Sequence, residues 1–272
     1  MNISDFKNPF FIGVAGVGMS AIAQYLQGIG KNVSGSDRYF HPDEYNKTKE
    51  QLENEGIKCF LQDGSGITKE TDLVVVSTAI EDTVYEVKKA KELGIPIIKR
   101  SQLLAMIAKS KKTVAVAGTS GKSTTSAMLF QILLDAGLEP SIISGAGLTS
   151  IIKQGKIGNA YVGKGDWLII EADESDGSVV QYEPEIGLLL NIDKDHQEID
   201  ELIELFTIFR KNTKGLYIVN QSNALAKTLS ANVNNDFGFE TDAGFIAKNF
   251  KQEGFKLSFE IDNQEFTMNA IG

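Results

Sequence analysis

The residues with the clearest chemistry lie in segment 112–126, KTVAVAGTSGKSTTS. A short apolar run leads there into a loop with two glycines, and the loop leads into a segment whose apolar residues recur at helical spacing. In such an arrangement, backbone N–H groups and the positive end of the helix dipole cradle phosphate oxygens. A lysine then reaches the β and γ phosphates, and a hydroxyl holds Mg²⁺. We therefore predict an ATP site formed by Gly118, Thr119, Ser120, Gly121, Lys122, Ser123 and Thr124.

The phosphate-loop pattern is the shorter of two forms. The strict form needs a glycine six residues before the lysine, but Val116 stands there, so the matching string is GTSGKS. The alternative is a glycine turn that only joins a strand to a helix. The position of the string between an apolar strand and an apolar-periodic helix favours the ATP site.

Carboxylates and a histidine follow two further predicted strands. The run at residues 167–171 ends in EADESD, with four acidic residues in six positions, and the run at residues 186–190 leads to NIDKDH, which ends at His196. Open α/β sheets bind ligands at the carboxyl ends of their strands. Acidic groups repel a triphosphate unless a metal intervenes, so this edge predicts Mg²⁺ coordination. The alternatives are a solvated acidic loop and a structural histidine.

A second nucleotide-type turn lies near the start of the chain. An apolar strand at residues 10–14 runs into Gly16, Gly18 and Ala21, which fit the G-x-G-x-x-G/A turn of a dinucleotide-type βαβ unit. A second strand leads to Asp37, an acidic residue about 20 positions past the turn, where a ribose hydroxyl can be bound. The alternatives are glycines that serve only strand–helix packing and, as a different class of protein, an oxidoreductase that binds NAD(P)H.

Composition excludes several classes of partner. The net charge is −9, which argues against a nucleic-acid partner because such binding needs clustered Lys and Arg. No apolar run is long enough to span a bilayer and no signal-peptide pattern opens the chain, so we expect a cytoplasmic protein without a membrane partner. Cys59 is the only cysteine, and we expect it to be a small buried hydrophobe. The sequence leaves a homodimer open.

Strands alternate with helices along most of the chain, which predicts an α/β fold with parallel sheets. We expect an N-terminal Rossmann-like domain over residues 1–109 and a P-loop-containing α/β ATPase domain over residues 110–272, with a basic segment at the boundary. From about residue 236, apolar and polar residues alternate, which predicts an antiparallel β segment. The chain stops without a closing helix, and we expect the second domain to be incomplete at its C-terminal end.

Taken together, these strings resemble the Mur ligases, which are ATP-dependent amide-forming ligases of peptidoglycan synthesis. The matching stretches cover nearly the whole chain in the expected order. They are GVAGVGMSAIA (13–23), SGSD (34–37), VVVSTAI (74–80), GIPIIKR (94–100), VAGTSGKSTT (116–125), EADESD (171–176) and NIDKDH (191–196). The resemblance is strongest to the members that join L-alanine to UDP-N-acetylmuramate.

The resemblance implies three domains: one that binds a UDP-sugar, a central ATPase, and a C-terminal one that brings the amino acid. This chain matches the first and most of the second, so the C-terminal ligase domain is expected to be absent and the fragment alone inactive in ligation. The implied cofactors are ATP and Mg²⁺, and the implied small-molecule substrates are UDP-N-acetylmuramate and L-alanine. In the implied reaction, the substrate carboxylate attacks ATP to give an acyl phosphate, which the amine of the amino acid then attacks with loss of phosphate.

The roles of individual residues follow from the same resemblance. Lys122 is expected to contact the β and γ phosphates and to stabilise charge during transfer. Ser123 and Glu171 are expected to hold one Mg²⁺, and His196 to hold or orient a second. Lys122, Glu171 and His196 are thus the expected catalytic residues. The UDP-sugar is expected to contact Gly16, Val17, Gly18, Met19, Ser36, Asp37, Ser77, Thr78 and Ala79.

The sequence departs from the alanine-adding members at several positions. Ser120 stands where histidine is usual, and Ser123 stands where threonine is usual, which keeps the metal-binding hydroxyl. Residues 38–41 and 197–200 also differ from the usual pattern. Asp173 and Glu174, which follow Glu171 in the acidic string, are expected to lie behind the metal or on the substrate side. These departures leave open a divergent paralogue, such as a murein-peptide ligase. A non-catalytic nucleotide-binding protein is open if the chain naturally ends at residue 272.

Overall fold

The computed structural model of the chain describes residues 1–194 and 197–269. Their packing divides them into two compact units, and each is described here by itself. The first unit consists of Met1–Thr113 and Ser123–Glu171, and the second of Val114–Lys122 and the described part of Ala172–Gly272. The boundary after residue 109 that the sequence suggests stays a prediction.

The N-terminal part of the first unit is a five-stranded parallel sheet with the order β3-β2-β1-β4-β5. Its parallel strands and intervening helices confirm the α/β prediction for this region. A short 3₁₀ turn at Ile3–Asp5 precedes the first strand. The elements are β1 (Pro9–Ile12), α1 (Val17–Gly28), β2 (Ser34–Asp37), α2 (Lys47–Asn54), β3 (Lys58–Leu61), β4 (Leu73–Val76), α3 (Tyr85–Glu92), β5 (Ile97–Lys99) and α4 (Arg100–Lys109).

The central strand of this sheet is apolar on both faces, as expected for a parallel sheet covered by helices. All four residues of β1 are buried, and Phe10 and Ile12 share a core cluster with Val74 of β4 and Val87 of α3. Helix α1 is buried over most of its circumference. This packing brings the carboxyl ends of β1, β2 and β4 to the same edge, because Ile12 pairs with both Ser36 and Val76.

The remaining elements follow the same alternation and then turn to β structure. They are β6 (Lys112–Ala117), α5 (Lys122–Asp135), β7 (Ser141–Ile143), α6 (Thr149–Ile152), β8 (Ala160–Tyr161), β9 (Trp167–Ala172), β10 (Ile186–Leu189), α7 (Ile199–Asn212), β11 (Leu216–Val219), β12 (Phe237–Phe239), β13 (Phe245–Glu253), β14 (Lys256–Ile261) and β15 (Gln264–Asn269). Short 3₁₀ turns also occur at Ser178–Gln181, Ala226–Leu229 and Val233–Asn235.

In the first unit, β7 pairs in parallel with β9 and antiparallel with β8. Phe130 of α5 is fully buried in a cluster with Ile142 of β7 and Ile169 of β9, and its ring meets that of Tyr161 edge-on with centroids 5.4 Å apart. The apolar residues of α5 thus pack the helix that follows the phosphate loop against β7 and β9.

In the second unit, β10 lies between β6 and β11, and both pairings are parallel. Because Leu189 pairs with Ala117, β6 and β10 end level with each other. The predicted antiparallel tail is confirmed for β13, β14 and β15. It is wrong for β12, which pairs in parallel with β13. Among the described residues, no helix has the length and apolar character needed to cross a bilayer.

Cys59 of β3 is half-buried rather than fully buried. Burial, with a smaller contribution from Glu53, raises the pKa of its thiol to about 12. Because the thiolate is the reactive form, we expect iodoacetamide to modify Cys59 at pH 8 at least about 100-fold more slowly than a free cysteine. The rate should keep rising about tenfold per pH unit up to about pH 11, as thiolate forms. Labelling rates measured over a series of pH values test this expectation, and a rate that stops rising near pH 9 would contradict it.

Candidate functional site

The phosphate loop joins β6 to α5 and contains two glycines in the left-handed region. Gly118 has φ +136° and Gly121 has φ +81°, conformations that other residues adopt only with strain. A Cβ at Gly118 would lie 3.1 Å from the backbone nitrogen of Asn191, so the loop passes close to the chain after β10. The two glycines that the sequence singled out are therefore needed by the backbone itself.

Asn191 holds the loop from the neighbouring strand end. Its Oδ1 accepts hydrogen bonds from Thr119 Oγ1 at 2.9 Å and from the Ser120 backbone N–H at 2.9 Å, and its Nδ2 donates to the Ser120 carbonyl at 3.1 Å. The backbone N–H of Asp193 donates to Thr119 Oγ1 at 3.1 Å. Asn191 was not among the residues to which the sequence assigned a role. Its place directly after a buried strand, level with the loop, was the available signal.

Lys122 is paired with a carboxylate in this structure. Its Nζ lies 2.9 and 3.0 Å from the two carboxylate oxygens of Glu174 and donates to the Gly118 carbonyl at 2.7 Å. The side chains of Lys122 and Glu174 are only 16% and 6% exposed. A buried charge needs a partner, and in this structure Lys122 and Glu174 neutralise each other. Gln197 braces Glu174 by donating to its carbonyl at 3.2 Å.

Glu171, near the end of β9, accepts hydrogen bonds from two hydroxyl groups and one backbone amide. Its Oε2 accepts from Ser123 Oγ at 2.8 Å, and its Oε1 accepts from Ser144 Oγ at 2.6 Å and from the Gly145 N–H at 2.7 Å. The structure thus brings together Ser123 and Glu171, the two residues predicted to share a metal. Neither Ser144 nor Gly145 was singled out from the sequence.

The Ser123 and Glu171 oxygens fit a magnesium ion. Two adjacent oxygen ligands of an octahedral Mg²⁺ lie about 3.0 Å apart when each is about 2.1 Å from the metal, and these two oxygens are 2.8 Å apart. In the described ranges, no group of three His, Cys, Asp or Glu side chains is arranged as a metal cage.

The other predicted residues of this region have different placements. His196, predicted as a catalytic and second metal residue, lies outside the described residues. Asp173 accepts the Ser175 backbone N–H at 3.0 Å and so stabilises its own turn. Thr124 is exposed on the first turn of α5.

The N-terminal turn lies between β1 and α1, where the first helical N–H groups are exposed. Gly16 is the N-cap residue of α1, and its N–H donates to the Gly13 carbonyl at 3.1 Å. Val17 and Gly16 face solvent, and Gly18 is half-buried. The side chain of Met19 is buried in the core, so only its backbone can face a ligand at this turn.

The acidic and hydroxyl residues at the end of β2 are both engaged with the protein. Asp37 is buried, and its carboxylate accepts from the backbone N–H of Ala15 at 2.9 Å and of Tyr39 at 3.0 Å. Ser36 donates to Glu86 Oε1 at 3.0 Å, and both residues are buried. Asp37 therefore fixes the turn between β1 and α1, in addition to the ribose contact predicted for it.

Ser77, Thr78 and Ala79 form a turn directly after β4, at the same edge of the sheet. Thr78 and Ala79 are exposed. Arg100, the first residue of α4, also reaches this edge, because a Cβ placed on Gly18 would lie 3.1 Å from its Cδ and Nη1 atoms. A guanidinium over the glycine turn can bind phosphate oxygens. Arg100 belongs to a string quoted above, but the sequence analysis assigned it no role.

These features define the class of the protein. A parallel sheet carries a glycine turn, an acidic strand end and an arginine at its carboxyl edge, and a phosphate loop begins the next helix. The chain is therefore an α/β protein of the Rossmann-like and phosphate-loop type.

The chain belongs to the Mur ligase family. Residues 10–112 match the description "Mur ligase family, catalytic domain", and residues 116–272 match "Mur ligase middle domain". The resemblance and the fold class predicted from the sequence are confirmed.

Several relatives carry a more specific name. The UDP-N-acetylmuramate–L-alanine ligase of Geotalea uraniireducens (strain Rf4) is 37% identical over 260 residues, which are 92% of this chain and 54% of that protein. The ligase of the same name from Dichelobacter nodosus (strain VCS1703A) is 35% identical over 265 residues, which are 94% and 53% of the two chains. The chain spans about half the length of the curated relatives it matches.

Solved structures show the same fold. A UDP-N-acetylmuramate–alanine ligase from Thermotoga maritima superposes with a TM-score of 0.82 at 23% identity, covering 98% of this chain and 61% of that one. The UDP-N-acetylmuramate:L-alanyl-gamma-D-glutamyl-meso-diaminopimelate ligase from Neisseria meningitides gives 0.80 at 23% identity, covering 98% and 89%. At these identities the likeness concerns the fold alone.

The clamp formed by Asn191 leads to a testable expectation. Replacing Asn191 by Ala removes the acceptor of two loop hydrogen bonds and the donor of a third, so affinity for a non-hydrolysable ATP analogue with Mg²⁺ should fall about tenfold. Calorimetric titration measures this change. Asn212→Ala is the matched control, because that amide donates to the Val180 carbonyl and contacts no loop residue through a side-chain bond. Equal affinities in the two variants would contradict the clamp.

Proposed function

We propose that this chain is the UDP-sugar-binding and ATP-binding part of a ligase that joins L-alanine to the carboxylate of UDP-N-acetylmuramate. One observation carries the proposal: the hydroxyl that follows the phosphate-loop lysine lies 2.8 Å from the Glu171 carboxylate. That pair supplies two adjacent oxygen ligands where a magnesium-bound triphosphate needs them. The names of the relatives, at 35% and 37% identity, support the choice of substrates.

In the ATP site, the phosphate oxygens bind the loop N–H groups from Gly118 to Thr124, at the N-terminus of α5. Because Lys122 and Ser123 are consecutive residues, the ammonium and the hydroxyl serve the same triphosphate. Lys122 leaves Glu174 and contacts the β and γ phosphates. Ser123 and Glu171 hold the Mg²⁺, which neutralises charge on the phosphate oxygens. His196 stays the proposed residue for a second metal.

The reaction proceeds in two displacements. A carboxylate oxygen of the muramoyl group attacks the γ-phosphorus, the bond to the β-phosphate oxygen breaks, and ADP leaves. The amine of L-alanine then attacks the acyl carbon, an amide bond forms, and inorganic phosphate leaves with the electron pair of the broken C–O bond. Lys122 stabilises the charge that spreads over the transferred phosphoryl group in the first step. The amino acid and its binding groups belong to the part of the ligase beyond these two domains.

In the UDP-sugar site, the diphosphate lies over the turn formed by Gly16, Val17, Gly18 and Met19, held by backbone N–H groups of α1. Arg100 supplies a cation at this turn. Uridine and ribose lie along Ser36, Asp37 and the turn at residues 77–79. The site binds small molecules. Because these substrates are cytoplasmic, we assign the reaction to the cytoplasm. We propose neither a nucleic-acid nor a membrane partner.

Titration with three ligands tests the substrate assignment. We expect saturable one-to-one binding of UDP-N-acetylmuramate, binding at least about tenfold weaker for UDP-N-acetylglucosamine, which lacks the lactyl carboxylate, and none for NADH. Equal affinity for the two UDP-sugars would remove the carboxylate-bearing acceptor from the proposal. Tighter binding of the muramoyl tripeptide than of UDP-N-acetylmuramate would instead favour a murein-peptide ligase.

A further inference from the structure

A buried cluster of polar side chains ties residue 159 to the start of α1. Asn159 is 2% exposed, and its Nδ2 donates to the Val17 carbonyl at 2.8 Å and to Ser20 Oγ at 3.0 Å. Its Oδ1 accepts from Gln24 Nε2 at 2.7 Å. Three hydrogen bonds therefore fix the amide of Asn159 against the first two turns of the helix that begins at the glycine turn. All of these residues belong to the first unit.

The backbone of the same residue leads toward Glu171. The Asn159 carbonyl accepts the Ser144 N–H at 2.9 Å, and the Ser144 hydroxyl donates to Glu171 Oε1 at 2.6 Å. Glu171 in turn accepts the Ser123 hydroxyl. An unbroken series of hydrogen bonds thus runs from Ser123 and Glu171 through Ser144 and Asn159 to Val17, entirely within the first unit.

We propose that Asn159 is a positioning residue that couples Mg²⁺–nucleotide binding at Glu171 to UDP-sugar binding at the glycine turn. This inference rests on the proposed function, since it needs both ligands to bind. When the metal takes Glu171 Oε2 and Ser123 Oγ, the carboxylate is fixed in one orientation. Ser144 and the Asn159 backbone are then held at the end of β7, and the Asn159 amide holds Val17 in place.

The coupling arises from conformational entropy. A turn that is already held in its binding geometry loses less conformational freedom when the diphosphate arrives. The UDP-sugar therefore binds more tightly when Mg²⁺ and the nucleotide are already bound than it does alone. Burial makes the linkage stiff, because any displacement of Asn159 would remove one buried hydrogen bond from the Val17 carbonyl and one from Ser20 Oγ, which would keep the bond between them.

Calorimetry with each ligand in the absence and presence of the other tests the coupling. In the unaltered chain, a saturating non-hydrolysable ATP analogue with Mg²⁺ should tighten UDP-N-acetylmuramate binding about fivefold or more, and the reverse titration must give the same factor. Asn159→Ser, which cannot reach Val17, should bind each ligand alone within about threefold of the unaltered chain while its coupling factor falls to about one.

Two further variants complete the test. Ser144→Ala removes the hydrogen bond to Glu171 and so breaks the same series at a residue outside the Asn159 cluster. It should also abolish the coupling. The test therefore remains valid if Asn159→Ser does not fold. Gln154→Ala removes an exposed amide that bonds only to Ser150 within its own turn, and its coupling should be unchanged. If both ligands bind but the factor is about one in the unaltered chain, or survives in Ser144→Ala and Asn159→Ser, the proposed role of Asn159 in coupling is refuted and the proposed function stands. Failure of either ligand to bind the unaltered chain overturns both proposals.

Discussion

Replacing Lys122 by Met is expected to weaken binding of a non-hydrolysable ATP analogue at least about 100-fold, because a charged donor to the β and γ phosphates is lost. The same change should lower the free energy of unfolding by about 3–5 kcal/mol, because the carboxylate of Glu174 is left buried without its cation. Calorimetric titration measures the first effect, and urea unfolding of the ligand-free chain measures the second.

A double variant separates the two effects. In Lys122→Met with Glu174→Gln, the buried group is neutral, so at least half of the lost stability should return while nucleotide binding stays absent. Lys156→Met is the matched control: its ion pair with Glu55 is more exposed, and its loss should cost at most about 1 kcal/mol. Stability unchanged in the single variant would show that the Lys122–Glu174 pair contributes nothing to the ligand-free fold.

Replacing Glu171 by Gln is expected to remove most of the metal dependence of nucleotide binding. In the unaltered chain, Mg²⁺ should tighten binding of the ATP analogue at least about tenfold over binding in EDTA, because Ser123 and Glu171 would hold the metal and the metal would supply positive charge to the phosphates. The amide keeps an oxygen for Ser144 and Gly145 but presents a weaker ligand to the metal, so the ratio should fall below about twofold.

A neighbouring carboxylate supplies the comparison for this experiment. Asp173→Asn changes a side chain whose hydrogen-bond partner among the described residues is the Ser175 N–H, so the Mg²⁺ effect should remain. In EDTA, both variants should bind the ATP analogue at least as tightly as the unaltered chain, because each lacks one carboxylate that repels a metal-free triphosphate. If Glu171→Gln keeps the full Mg²⁺ effect, the metal is held elsewhere.

The sequence was sufficient where chemistry depends on residues close together in the chain. The loop from Gly118 to Ser123 is a local pattern, and the structure places it between a buried strand and a helix as predicted. The alternation of strands and helices likewise predicted the parallel sheet. Glu171 was found because parallel strands bring their carboxyl ends to one edge.

Contacts between distant residues could not be found in this way. Asn191 and Asn159 form hydrogen bonds to residues far along the chain, Arg100 lies near Gly18, and no local spacing marks any of the three. Short or half-buried elements were missed for a related reason: β3 is half-buried, and β8 has only two residues, so neither shows a clear period. Met19 stays a predicted contact through its backbone, because its position in the turn suggested a contact while its side chain is buried in the core.

The central claim is that the chain carries two separate nucleotide sites, and selective loss of each ligand tests it most directly. UDP-N-acetylmuramate and the Mg²⁺–ATP analogue should be titrated into the unaltered chain, Lys122→Met and Arg100→Ala, with Arg210→Ala as a control for loss of an arginine. We expect Lys122→Met to lose only the triphosphate, Arg100→Ala to lose about tenfold in affinity for the UDP-sugar alone, and Arg210→Ala to bind both normally. If either substitution abolished both ligands in a chain that remains folded, or if the UDP-sugar competed with the ATP analogue, the two-site account would be contradicted.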